Sequence, residues 1–400
     1  MNNSALHTWW TCHRTTILRL IVALMAVFAL LKLGDEFRRL IWESGYTGAI
    51  DLKTFHMNVH HWFSGSPFYG ELKKSEVYPP ASYAVLWPLL GWLKITSARW
   101  FWAATYVAAL WWLIYLVVHE SGADKPLECI FVALLPLSMN ATGVTIGNGQ
   151  LIVYILPIMV AGLILLHQGR YSWREDLLAA ALIIAAMVKP TVSAPFFWIV
   201  LFAPGRLRPT LLITLGYVAL SLLAASFQKS GLIPLLLDWV SLSLKEAARS
   251  SVEGGYANLH TWLVALGLKE WNFPASLLAL MAAGYWTYRH RYVDLWIQMG
   301  VMALVARFWT YHRVYDDTLF LLPMVALFRM AKRGPSATAG NMMAGMLLAI
   351  SVLVMLAPAR LRLLTPPWDL LFKGGHTVVW VAVLIFLLVQ AQHVKKRKVS

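Results

Sequence analysis

Asp51 heads the segment Asp51-Leu52-Lys53-Thr54-Phe55-His56, in which Leu52, Phe55, Val59, Trp62 and Phe63 recur at helical spacing. That pattern predicts an amphipathic helix lying in a membrane interface. A carboxylate at its head has two uses: it caps the first turn by accepting a backbone N–H, or it acts as a general base toward a sugar hydroxyl. The two are compatible. Further along, Lys189-Pro190 separates two apolar runs, 177–188 and 191–203. A lysine at mid-depth costs about 2.5 to 3.5 kcal/mol, so it needs a polar cavity and an anionic partner. Snorkelling at a helix end is the alternative if two short helices meet at the surface. Arg307, His312, Arg313, Tyr315, Asp316 and Asp317 form the densest polar cluster between two apolar runs. They offer cations for a phosphate and a proton carrier that titrates near neutrality. An Arg–Asp ion pair is the plainer use.

Weaker signals accompany these. Gly147-Asn148-Gly149-Gln150 sits between two apolar runs, where amides left free by glycine would cradle an anion; a tight turn is the equally simple reading. Ser64-Gly65-Ser66-Pro67-Phe68-Tyr69 is turn chemistry, and Tyr78-Pro79-Pro80 is an extended lead into a helix. His56 and His60 stand at i, i+4 with no glutamate after the first and no third ligand, so no metal site and no divalent cofactor is expected. Cys12 and Cys129 give no disulfide framework.

The elements that must carry these residues follow from composition. The 400 residues are 59% hydrophobic and 13% charged, with a net charge of +15, far from a soluble domain. Thirteen long apolar runs exclude the alternation of a β-barrel. The fold class read here is an all-α polytopic membrane protein with about 12 transmembrane helices plus interfacial and re-entrant helices. The segment 81–93, short and holding Pro88, is assigned as re-entrant. Twelve spans then put both termini in the cytoplasm and place the connections around Arg170, Arg206, Arg289, Arg329 and Arg333 on one side, as the positive-inside rule asks. The excess charge reports orientation and anionic headgroups rather than nucleic acid. One membrane domain covers 1–400. It includes a first extracytoplasmic loop at 34–98, a second at 228–272 and a basic cytoplasmic tail at 393–400. Asp51, Tyr78, Asn148, Gln150, Lys189, Asn258 and the 307–317 cluster all fall on the outer face, which locates a site there, fed from the lipid.

The order of features resembles glycosyltransferase family 87, membrane-embedded hexosyltransferases of GT-C type. The residues that carry the likeness are Asp51-Leu52-x-x-Phe55, then Trp62-Phe63-x-Gly65-x-Pro67-Phe68-Tyr69, then Tyr78-Pro79-Pro80 leading into Leu86-Trp87-Pro88-Leu89. Gly149-Gln150, Lys189-Pro190, Asn258 and Tyr315-Asp316 follow in order, and the likeness spans about residues 15 to 330. It implies a polyprenyl-phosphate-linked sugar donor, inverting transfer to a glycan or glycolipid acceptor, and a mannosyltransferase-like enzyme of a bacterial inner membrane. Asp51 is then the catalytic base. Lys189, His312, Arg313, Asn148, Gln150, Tyr78, Asn258, Tyr315 and Asp316 would bind the donor phosphate and sugar. The sequence departs from the family's pattern in Lys53 and His56 and in the basic stretch from Arg307 to Arg313. A transporter or lipid-linked-sugar flippase has similar composition, but two alignable halves are not visible in this chain.

Overall fold

The computed structural model describes residues 3–45, 47–69, 78–168, 172–253, 258–332, 339–358, 361, 364–365 and 367–399. Arg170, Arg333 and part of the first loop lie outside the described residues, as do the side chains of the basic tail from 393. The regular structure among them is helical. The chain forms α1 (Asn3–Trp42), α2 (Ile50–Phe63), α3 (Pro80–Leu90), α4 (Ile95–Ser121), α5 (Pro126–Ser138) and α6 (Asn140–Asn148). Next come α7 (Ile152–Gln168), α8 (Trp173–Ala186), α9 (Pro190–Leu201), α10 (Leu207–Ala225), α11 (Leu232–Glu253) and α12 (Leu259–Ala265). The last five are α13 (Asn272–Arg289), α14 (Leu295–Phe308), α15 (Leu321–Lys332), α16 (Ala339–Leu356) and α17 (Trp368–Val399), with a 3-10 turn at Val314–Phe320 before α15.

All thirteen apolar runs fall on helices, but few are long. Thr15–Trp42, Ile95–Ser121, Leu207–Ala225, Ala339–Leu356 and Leu371–Gln392 are each long and apolar enough to cross a membrane. The pair α5–α6, bent by 47°, makes a sixth if counted as one span. The expected count of about twelve is therefore met by length for five or six. Apolar helices α7, α9 and α14 have 17, 12 and 14 residues, which at 1.5 Å per residue rise about 18 to 26 Å, short of a core about 30 Å thick. Breaks at 149–151, Lys189-Pro190 and 309–313 bound them. α3 has 11 residues, about 16 Å of rise, and it packs against α10 and α2.

Packing puts the breaks where a site needs them. α1 lies along α5 and α6, α4 along α5 and α7, α8 between α7 and α10, and α9 against α14. The core between them includes Trp102, Tyr106, Phe196, Trp296 and Trp380. Leu24, Leu30, Trp111, Leu215, Leu278 and Ile385 stay exposed on the outer helices, as residues that face acyl chains do.

Polar side chains gather at two ends. At one end Asp176 accepts from Arg206 at 3.2 Å and from Arg208 at 3.0 Å. There too Arg329 pairs with Asp294 at 3.2 Å, and Lys332 with Asp124 and Glu128 at 2.5 and 2.6 Å. These are connections the sequence assigned to one face. The other end carries Asp51, Lys189 and Asp316.

Candidate active site

α2 is the amphipathic helix expected, burying Leu52, Phe55, Val59 and Trp62, with Asn58 buried as well. Trp62 anchors it: the indole N–H donates to the Ala224 carbonyl at 2.9 Å, and the ring stacks on Tyr83 at 4.6 Å. Gly65, at φ +75°, turns the chain back, so that Phe68 packs on both Trp62 and Tyr83. The aromatic motif after α2 is thus a staple between α2 and α3. Its last member, Tyr69, donates to the Tyr78 carbonyl at 2.7 Å and so fixes the strand of chain that enters the site.

Asp51 does not cap α2. The cap position is Ala49, held at φ +51°, a left-handed conformation uncommon for a side-chain-bearing residue. Its N–H donates to the Gly147 carbonyl at 2.9 Å. That bond ties α2 to α6 and leaves the Asp51 carboxylate for other work.

α6 is an element the sequence reading missed, because its nine residues, Asn140 to Asn148, lack an apolar period. It ends at Gly149, φ +76°. A Cβ there would stand 2.5 Å from that of Leu52, so the close approach of α6 to α2 requires glycine. The Gly149 and Gln150 N–H groups are taken by Ile146 and Thr145 carbonyls at 3.0 and 2.9 Å. The expected cradle of free amides for an anion is therefore absent at these two residues; helix capping uses them.

The side chains of Asn148 and Gln150 do what the backbone does not. Asn148 Oδ1 accepts from Arg39 at 2.8 Å, and Gln150 Oε1 accepts the Leu151 N–H at 3.0 Å. With both oxygens engaged, the two –NH2 groups are left to donate, and both side chains favour the charged form of Asp51, as donors do. Burial pushes the Asp51 carboxyl up from its ordinary 3.8 to about 6, against the pull of Lys189 and Arg313 and of these two amides. Its Oδ2 is buried without a hydrogen-bond partner.

Lys189 marks the break between α8 and α9. The ammonium does not snorkel: the residue is 8% exposed, with Nζ 2.6 Å from Asp316 Oδ1 and 4.7 Å from the Tyr315 ring centre. The second Asp316 oxygen accepts from His312 Nδ1 at 2.9 Å. Burial holds the His312 imidazole below its usual range, against the pull of Asp316; its Nδ1 faces the carboxylate and its Nε2 is buried and unpartnered. Arg313 reaches Glu246 of α11 at 3.4 Å, and its field is felt at Asp51.

The 307–317 cluster is two units rather than one. Asp316 faces Lys189, whereas its neighbour Asp317 pairs with Arg307 at 2.6 Å, and Arg307 lies 4.8 Å from the Trp380 ring. Tyr78, buried, and Tyr315, half-buried, stand beside Asp51 and Asp316, whose charges, after desolvation itself, push both phenols up. Asn258 stands apart. It caps α12, accepting the Thr261 N–H at 2.9 Å.

The structure thus brings together Asp51, Tyr78, Asn148, Gln150, Lys189, His312, Arg313, Tyr315 and Asp316, from five separate segments. Residues overlooked in the sequence support them. Arg39 and Glu36 on α1 back Asn148, Tyr106 donates to the Gln150 carbonyl, and Trp102 donates to that of Gly149 at 3.2 Å. Their only sequence signal was charge or aromaticity at the outer ends of spans.

No curated protein and no solved structure matches the chain. Residues 77–266, which include Tyr78, Asn148, Gln150, Lys189 and Asn258, match the family model of glycosyltransferase family 87. The likeness read from the residues and this match name the same family, and a glycosyltransferase is what they indicate.

Proposed function

We propose that the protein moves a hexosyl group, mannosyl in type, from a polyprenyl-phosphate donor to an acceptor hydroxyl, with inversion, at the extracytoplasmic face of a bacterial inner membrane. The observation that carries this reading is the Asp51 carboxylate. Its Oδ2 is buried and unpartnered, its other contacts are two amide donors, and two cations stand close by. The acceptor hydroxyl gives its proton to Asp51 as its oxygen bonds to the anomeric carbon. The bond from that carbon to the phosphate oxygen breaks, and the electron pair leaves on the polyprenyl phosphate. Lys189 and Arg313 lie where that charge grows, and fixed cations in a partly dry site stabilise it without reorganising. His312 Nε2, unprotonated, accepts from a sugar hydroxyl. Tyr78 and Tyr315 remain protonated and offer hydrogen bonds. No metal is required, since cations of the chain serve the phosphate.

The test is transfer from polyprenyl-phosphate-mannose by the full-length protein in nanodiscs, with lipid extract of a deletion strain as acceptor. Asp51→Asn is expected to bind donor and lose about 10²- to 10⁴-fold in turnover, the range of a positioned base. Normal turnover by that variant would remove Asp51 from the role. Substrate-dependent product separates an enzyme from a transporter or flippase.

A further inference from the structure

The catalytic reading leaves unexplained why a chain of charges runs down α1 into the site. Lys32 Nζ is 2.7 Å from Glu36 Oε1, Glu36 Oε2 is 2.7 Å from Arg39 Nε, and Arg39 donates to Asn148 Oδ1 at 2.8 Å. Glu36 is 4% exposed, and a buried carboxylate between two cations is expensive unless its geometry does something. α6 is shaped to receive it. Gly143 and Gly147, one turn apart, let these side chains lie directly on the helix: a Cβ on Gly143 would meet Lys32, and one on Gly147 would overlap both Glu36 and Arg39. The pair of small residues, elsewhere used to bring two helices together, here admits an ion pair.

An Asn amide can present either its oxygen or its –NH2 to a neighbour, and the network around it decides. Arg39 offers only donors, so the bond it makes fixes the Asn148 oxygen outward and the –NH2 toward Asp51. We infer that Arg39, held by Glu36, is a positioning residue that sets the Asn148 amide to donate to the Asp51 carboxylate. The inference rests on Asp51 being the base, and it extends the site to α1, outside the segment 77–266 that carries the family match.

The charged and titratable groups facing Asp51 are Lys189, Arg313, Tyr78, Tyr106 and Tyr315; none of them touches Arg39 in the bonds named above. Loss of Arg39 therefore leaves their bonds intact, and comparison with Asn148 separates the effect of its hydrogen bond from that of its charge. The test compares pH profiles of kcat and donor KM for the full-length protein in nanodiscs with polyprenyl-phosphate-mannose and the deletion-strain lipid extract. Arg39→Gln is expected to move the acid limb of kcat about one unit toward higher pH, a tenfold change in the proton equilibrium, with donor KM within about twofold. Asn148→Ala should give the same displacement, and the double variant no more than either alone, as two residues acting in one chain do. Arg39→Lys, which keeps one donor, should recover part of it. An unmoved acid limb in a folded Arg39→Gln protein would overturn the inference, as would additive shifts or a loss uniform across pH. If Asp51→Asn is inactive while Arg39→Gln titrates normally, only the positioning role falls. If Asp51→Asn is active, the base assignment falls first.

Discussion

At the scale of single residues, two buried carboxylates in one site have opposite environments. Asp51 is raised to about 6 by burial, so the folded protein holds its proton more tightly than the unfolded chain does. The cost of ionising it is absent below pH 3.8, grows through the interval to about 6 and is full above that. Asp51→Asn should therefore stabilise the protein in detergent at pH 7, by on the order of 2 kcal/mol after allowance for partial exposure, with a higher melting midpoint, and do far less at pH 4. Turnover of the unaltered protein should rise through pH 6 as the base ionises. Asp316 instead binds Lys189 and His312 directly. Asp316→Asn strands a buried ammonium and should cost about 3 to 5 kcal/mol, and Lys189→Met in the same chain should restore part of the midpoint. An undiminished midpoint in the single variant would mean that water reaches Lys189.

At the scale of elements, the site depends on how closely α2 approaches α6. Gly149→Ala meets both a positive φ and the Leu52 side chain and backbone, so it should destabilise by about 1 to 3 kcal/mol and cut turnover, because α2 must withdraw with Asp51. Gly122→Ala is the matched control. Its φ is +74°, but nothing lies within 4 Å of the added Cβ, so strain of about 1 kcal/mol should appear with activity intact. Equal activity losses in the two would show that α2 and α6 are not coupled through this contact. α11 adds a second element to the site. It turns Ile233, Leu237, Val240 and Leu244 outward and sends Glu246 to Arg313, so a helix with an apolar outer stripe borders the proposed phosphate position.

At the scale of the whole molecule, ion pairs at the Asp176 and Lys332 end and the Asp51 cluster at the other end give a polarity that a membrane would preserve. In a chain with Cys12 and Cys129 replaced by serine, Ser64→Cys should react with an impermeant maleimide on intact cells, and Lys125→Cys only after permeabilisation. Both positions are exposed. The reverse pattern would invert the topology and move the chemistry to the cytoplasm.

What the sequence determined by itself was whatever depends on local period and composition. Thirteen apolar runs became helices, the spacing from Leu52 to Trp62 became α2, and the polar dipeptides fell on one face, because burial of apolar surface and insertion in lipid are read residue by residue. Tertiary structure decided what depends on partners distant in the chain. It showed that Asp51 is not a cap, that the Gly147–Gln150 stretch closes a helix instead of cradling an anion, that Asn258 is a cap, and that Asp316 and Asp317 part company. Arg39 and Asn148 are 109 residues apart, Lys189 and Asp316 are 127 apart, and no local pattern encodes such a pairing. Only packing of the broken helices brings them within hydrogen-bonding distance, where a buried charge must find its counterpart or lose its proton.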